Sequence, residues 1–148
     1  MTILTTPPES YPVVIIDTRE QLPYTFPSTW PRPLVTALKT GDYSILGHES
    51  NFAIERKSLN DFTGCIFADR FEREMIRLSE FKRAYLLIEA NIANLKNPPH
   101  YHGNPKALIG KVQSISIRHG VQVIFAGDRQ TGQEYTQGLI KSYWKHFC

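Results

Sequence analysis

Four consecutive apolar residues, Val13-Val14-Ile15-Ile16, run straight into the charged group Asp17-Thr18-Arg19-Glu20. A strand that is apolar at every position has no face to give to solvent, so it must be covered on both sides. Ala84 to Glu89 repeats the pattern, and Val121 to Ala126 alternates with little polarity. Helical patterns lie between these runs. Covered strands interleaved with helices predict an α/β domain with a mixed central β-sheet and helices on both faces. At 148 residues and 17.0 kDa, 41% of them hydrophobic, the chain has the size of one domain with its own core. No repeat, low-complexity tract or linker divides it. Residues 1–12 are expected to form a flexible N-terminus and residues 13–148 the folded unit.

The order of elements reads as strand, helix, hairpin, helix, strand, helix, strand, helix. Pro31 to Leu38 suggests a short helix. Tyr43 to Leu46 and Phe52 to Lys57 are short apolar-rich runs joined by the polar segment Gly47 to Asn51, the pattern of an antiparallel hairpin. Ser58, followed three residues later by Asp61, resembles a capping box, so a long helix is expected to start there. It would carry Leu59, Phe62, Ile66, Phe71, Met75 and Leu78 to the core. Ile92 to Gly103 reads as a loop rich in Asn and Pro. Asn104-Pro105 looks like a helix start and His119-Gly120 its end. Thr131-x-x-Glu134 is a second capping-box candidate, opening a helix through Leu139, Ile140, Tyr143, Trp144 and Phe147. The apolar groups of that helix suit either the last piece of the core or a surface for a second subunit.

The chemistry is concentrated in Gly41-Asp42-Tyr43 and Ile54-Glu55-Arg56-Lys57-Ser58-Leu59-Asn60-Asp61. Side chains alternate along a strand, so Glu55 and Lys57 share one face while Ile54 and Arg56 take the other. Asp42, at the start of the preceding strand, can lie across from Glu55. Two carboxylates with a backbone carbonyl and waters make the incomplete oxygen shell that Mg²⁺ favours when it must also hold a phosphate. A neighbouring lysine supplies a compact positive charge to position water or to offset charge developing on phosphorus. Glu-x-Lys alone is usually a solvated strand face. Its company is what matters here, because acidic groups ending buried strands sit where α/β sheets gather ligands.

A net charge of +3 and pI near 8.9 permit nucleic-acid binding without requiring it. Arg56, Lys57, Arg70, Arg73, Arg77, Lys82 and Arg83 flank the proposed site, although the helical ones have Glu72, Glu74 and Glu80 as alternative partners. Asp61 has a simpler reading as a helix-capping group. His100 and His102 fall in a Pro-rich loop without an acidic neighbour, better suited to touching DNA than to binding metal. Cys65 and Cys148 lack zinc-ligand spacing and read as free thiols of a reducing compartment. Neither a membrane-length apolar run nor a secretory signal is visible, so an intracellular protein is expected, cytoplasmic if bacterial or phage-encoded and nuclear if eukaryotic.

Taken together, Val14 to Asp17 with Arg19-Glu20, Gly41-Asp42-Tyr43, Ile54 to Lys57 with Asp61, and Arg70 ahead of Leu86-Leu87-Ile88-Glu89 resemble the XPF-type structure-specific endonuclease domain, a branch of the PD-(D/E)XK nuclease superfamily. The resemblance runs from about Val13 to the C-terminal helix. It implies a single restriction-endonuclease-like domain and a metal-dependent endonuclease that cuts double-stranded DNA near branches or single-strand junctions, leaving 5′-phosphate and 3′-hydroxyl ends. By position it implies that Asp42, Glu55, Asp17 and the Arg56 backbone carbonyl bind Mg²⁺ or Mn²⁺, that Lys57 is the catalytic lysine, and that Glu20 completes the acidic set. Arg19, Arg56, Arg70 and Arg73 match positions that touch DNA, and Asp61 one that supports the site. Such domains often work as a homodimer or beside a related, inactive subunit. They are commonly joined to a helix-hairpin-helix module or a helicase-like region, for which 148 residues leave no room. The alternatives are a non-cutting DNA-binding partner of the same fold, a sequence-specific endonuclease and a junction resolvase.

Overall fold

The computed structural model describes residues 11–148; most of the expected flexible N-terminus, 1–12, lies outside the described residues. Six strands form one sheet: β1 (Val14–Asp17), β2 (Leu34–Thr36), β3 (Tyr43–Ile45), β4 (Phe52–Ser58), β5 (Arg83–Glu89) and β6 (Gln122–Phe125), in the spatial order β2-β1-β3-β4-β5-β6. β1 runs parallel to β2 and antiparallel to β3, and β3 antiparallel to β4, whereas β4, β5 and β6 are mutually parallel neighbours. The sheet is therefore mixed, as the covered strands and the hairpin predict.

The helices are α1 (Leu59–Cys65), α2 (Asp69–Leu78), α3 (Pro105–His119) and α4 (Arg129–Phe147). On one face, Ala53, Leu86 and Ile88 pack beneath Phe62 of α1, Met75 of α2 and Leu108 of α3. On the other, Ile54 and Leu87 pack against Tyr24, Trp30 and Ile140 of α4. Successive residues of β4 and β5 are thus buried in opposite directions, which is why both strands read as continuously apolar over much of their length.

Four expectations are corrected. Pro31 to Leu38 is not a helix: Leu34–Thr36 adds a strand to the sheet, with Ile15 opposite Leu34. Pro33 biases Arg32 away from helical geometry, and β-branched Val35 and Thr36 favour an extended chain once β1 offers a ladder. The long helix after Ser58 is two helices, broken at Ile66 to Ala68. On an uninterrupted helix, Phe62 and Phe71 would point about 180° apart. The break turns both rings inward, where they meet edge-on with centroids 6.2 Å apart. The last helix is capped by Asp128 rather than Thr131: the Asp128 carboxylate accepts the Thr131 N–H at 2.7 Å, and the helix begins at Arg129. Other boundary signals hold. Ser58 accepts the Asp61 N–H, Asn104 caps α3 with Pro105 at its first position, and Gly120 ends it with φ 66°. Ile92 to Lys96, expected as loop, forms a single 3₁₀ segment. In α4, Ile140 belongs to the core, whereas Phe147 is half exposed and lies against Tyr143 and Arg83.

Candidate active site

The site is built by the hairpin and by one glycine. Gly41 has φ 87°, and a Cβ there would lie 3.2 Å from the Ala53 Cβ and 3.3 Å from the Ile54 carbonyl oxygen. Only glycine combines that conformation with that approach. The close contact lets the Asp42 N–H donate to the Ile54 carbonyl at 2.8 Å, while the Asp42 carbonyl accepts the Asp17 N–H at 2.9 Å. Held between two strands, Asp42 projects its carboxyl toward that of Glu55, near enough for its charge to oppose the ionisation of Glu55. The Arg56 N–H donates to Asp42 Oδ2 at 2.8 Å.

Burial makes ionisation unfavourable for both acids. It pushes Asp42 up to about 6, against the pull of the Arg56 amide, with Glu20 adding to the rise. Glu55 is raised well above its ordinary value, first by burial, then by the Asp42 and Glu74 charges. Lys57 Nζ lies 3.2 Å from Glu55 Oε2 and 3.4 Å from Glu74 Oε1 of α2. Burial alone would favour the neutral amine, but these two carboxylates override it and hold Lys57 firmly charged. Glu55, buried, and Asp42, half-buried, disfavour ionising side by side, an electrostatic deficit that a small cation relieves, and their hard oxygens suit a divalent one.

Asp17 is placed differently from its expected partners. It ends β1 nearly fully buried, but its oxygens accept from Arg19 Nε at 2.8 Å, Arg19 Nη2 at 3.2 Å, the Arg19 N–H at 3.2 Å and the Leu38 N–H at 2.8 Å. Burial would raise its pKa, but the Arg19 side chain and the two amides reverse the sign and lower it. Among the described residues, no group of three or more His, Cys, Asp or Glu side chains is arranged to hold a metal ion. The fit rests on the Asp42–Glu55 pair, whose shell a backbone carbonyl, waters and a phosphate would complete.

Arg56 and Glu20, expected with the acids and the DNA, occupy the opposite face of β4. The Arg56 guanidinium pairs with Glu20 at 3.1 Å and Glu89 at 2.9 Å, donates to the Leu22 carbonyl at 3.0 Å and lies 4.1 Å over the Tyr24 ring. Tyr24 also hydrogen-bonds Glu89 through its hydroxyl. This network staples the segment after β1 to the back of β4, and the Arg56 side chain is only 10% exposed. Asp61 is exposed and lines a small cleft of about 340 Å³ with Arg19, Arg56 and Glu89; its backbone N–H serves the helix cap. Arg19 is exposed but tied to Asp17. Arg70 and Arg73 are exposed on α2 and form no ion pair with a described residue. A groove of about 750 Å³, lined by Ile15, Leu38, Lys39 and Arg77 among others, opens on the β1–β2 side of the same sheet face.

Two acids in these networks, Glu74 and Glu89, were legible in the sequence but not as members of the site. Glu74 sits between Phe71 and Met75 in the core-facing stripe of an amphipathic helix, where a carboxylate needs a partner. Glu89 ends a buried strand as Asp17 does.

Comparison with known proteins finds a family for this chain, the ERCC4 domain proteins. The chain belongs to that family, whose model, described as ERCC4 domain, matches residues 16–139. Among known proteins it is similar to the 3′-flap repair endonuclease Xpf of Saccharolobus solfataricus (strain ATCC 35092 / DSM 1617 / JCM 11322 / P2), with 27% identity over 111 residues, covering 74% of this chain and 45% of that protein. In fold it is similar to XPF from Aeropyrum pernix, with a TM-score of 0.66 and 21% identity over 90% of this chain and 64% of that one. The same protein in complex with DNA matches with a TM-score of 0.66 and 21% identity over 91% of this chain and 64% of that one. The chain thus spans less than half the length of the curated relative and under two thirds of the solved ones.

Proposed function

We propose that this chain is a metal-dependent, structure-specific DNA endonuclease that hydrolyses phosphodiesters near branches or single-strand junctions. The observation that carries the reading is the pair of buried Glu55 and half-buried Asp42, with Lys57 3.2 Å from Glu55. Family membership and the name of the Saccharolobus relative, a 3′-flap repair endonuclease, support the same activity.

Asp42 and Glu55 would hold Mg²⁺ or Mn²⁺ with the Arg56 backbone carbonyl, and Asp17 would join them on release from Arg19. The bound ion supplies Lewis-acid polarisation of the phosphate and a lowered pKa for an attacking water. Lys57 orients that water in line with the scissile bond and offsets charge on the phosphorus oxygens. Arg70 and Arg73, exposed on α2, hold the DNA backbone, and Arg19 joins them at the rim. Arg56 and Glu20 act from behind, keeping β4 in place. Double-stranded or branched DNA is the partner, and the active form is a dimer with itself or with a related subunit. Within the described residues no helix is long and apolar enough to cross a membrane.

The test is cleavage of end-labelled linear duplex, splayed-arm, flap and four-way-junction DNA with Mg²⁺, Mn²⁺ or EDTA. Metal-dependent cutting near branch points, lost in Lys57→Ala and Asp42→Asn with their folds intact, is expected. Cutting by either variant at the wild-type rate would overturn the site assignment. No cutting of any DNA would favour a non-cutting partner module, and equal cutting of linear and branched DNA of matched sequence would remove the structure specificity.

A further inference from the structure

We propose that Glu74 is a positioning residue for Lys57, a second anchor that keeps the ammonium in place when Glu55 turns to the cation. This rests on the nuclease reading and adds a residue to it. The ammonium lies between two carboxylates on different elements, Glu55 of β4 at 3.2 Å and Glu74 of α2 at 3.4 Å. The Phe71 ring, one turn earlier on α2, lies 5.9 Å from the same nitrogen. Phe71 and Met75, both fully buried, flank Glu74 and fix the helix against the sheet, so the Glu74 carboxylate has little freedom to withdraw.

The arrangement resolves a conflict within the site. Glu55 faces both Asp42 and Lys57, and a cation shared with Asp42 draws it from the ammonium. A lysine side chain has four rotatable bonds, so with Glu55 as its one partner the ammonium would follow that carboxylate or swing to solvent. With Glu74 on its far side, Lys57 keeps a counter-charge and a direction while Glu55 changes partner. Misplacement of a catalytic group by about 1 Å lowers turnover by about 100-fold.

The experiment compares Glu74→Gln and Glu74→Asp with wild type in three measurements: steady-state cleavage of the best branched substrate, melting temperature, and the ¹H–¹⁵N signal of the Lys57 ammonium in metal-free protein. That signal is assigned by its loss in Lys57→Arg. For Glu74→Gln the expected result is a fall in kcat of about 10- to 100-fold. KM for DNA and melting temperature should hold, and the ammonium signal should broaden. Glu74→Asp, which keeps the carboxylate, should retain more activity. Wild-type kcat in Glu74→Gln, or a lower kcat explained by a lower melting temperature with an unchanged ammonium signal, would overturn the proposal while leaving the nuclease reading intact. If wild type cuts no DNA, the nuclease reading fails, and the ammonium signal still decides whether Glu74 holds Lys57.

Discussion

Replacing Gly41 by alanine tests whether the hairpin's tight crossing is what sets Asp42. The structure supplies an internal control in Gly47. Both glycines have nearly the same φ, 87° and 88°, but a Cβ at Gly41 meets Ala53 and the Ile54 carbonyl, whereas a Cβ at Gly47 meets nothing within 4 Å. The conformational penalty of a non-glycine residue at positive φ is therefore common to both, about 1–2 kcal/mol. Gly41→Ala adds a steric contribution. Ala53 is fully buried mid-sheet and the Ile54 carbonyl is fixed by its bond to the Asp42 N–H, so neither yields easily. Overpacking of this kind costs about 1–2 kcal/mol. At about 3 °C per kcal/mol for a chain of this size, Gly47→Ala should lower the melting temperature by about 3–6 °C and Gly41→Ala by about 6–12 °C. Activity should separate the two further. Gly47→Ala retains wild-type kcat below its melting transition, whereas Gly41→Ala moves Asp42 away from Glu55 and loses most cleavage even where it is fully folded. Differential scanning calorimetry and single-turnover cleavage at 20 °C below each midpoint make the comparison. Equal destabilisation by the two substitutions, or full activity in Gly41→Ala, would refute the claim that close approach at Gly41 places the acid.

The remaining expectations concern charge. In metal-free protein, Asp42 is held at about 6 against an ordinary value of 3.8, so the folded state binds its proton more tightly than the unfolded chain. The associated stability is present below about 3.8 and is lost as pH rises through about 6, up to about 3 kcal/mol for such a gap. Asp17, whose pKa is lowered, works in the other direction and loses its contribution on acidification. Urea unfolding in EDTA should therefore show stability declining from pH 4 to 7, a decline that the raised Glu55 shares and that Asp42→Asn reduces without abolishing; an unchanged profile in that variant would contradict the burial argument. Arg56→Met leaves Glu20 and Glu89 without their shared cation and should destabilise by about 3–5 kcal/mol. Arg70→Ala should leave unfolding unchanged and reduce the slope of log Kobs against log salt by about 0.9 for duplex binding. A normal melting curve for Arg56→Met, or an unaltered salt slope for Arg70→Ala, would reverse the roles assigned to these arginines.

What was legible in the sequence is what depends on neighbours along the chain. The alternation of β4 separates Glu55 and Lys57 from Arg56 without further information. The hairpin brings Asp42 to Glu55 because so few residues intervene. Caps at Ser58 and Asn104 are equally local. The hydrogen bonds of the Asp17 carboxylate were hidden for the converse reason: they depend on the Leu38 amide, delivered by the loop beyond a strand that the sequence disguised as a helix. Arg56 reads as one cation in a basic cluster until Glu89 and the Leu22 carbonyl are brought to it from distant segments. The α1–α2 break is visible only through the packing demand that Phe62 and Phe71 meet. Glu74 could have been found as an acid in a core-facing stripe, but only with knowledge that Lys57 lies across from it.

The two-sided wiring of β4 bears on which insertions and deletions the chain can accept. Between Phe52 and Ser58, odd positions share the face of the acid–lysine site and even ones that of the Arg56 network, with the register to β5 fixed residue by residue. Adding or removing one residue there would turn Glu55 and Lys57 to the back and Arg56 to the front, ruining both faces together. The connection from Leu46 to Asn51 carries no such constraint and contains the unhindered Gly47. Length variation among relatives of this chain is thus expected to gather in that connection, and β4 to stay invariant in length even where its residues change.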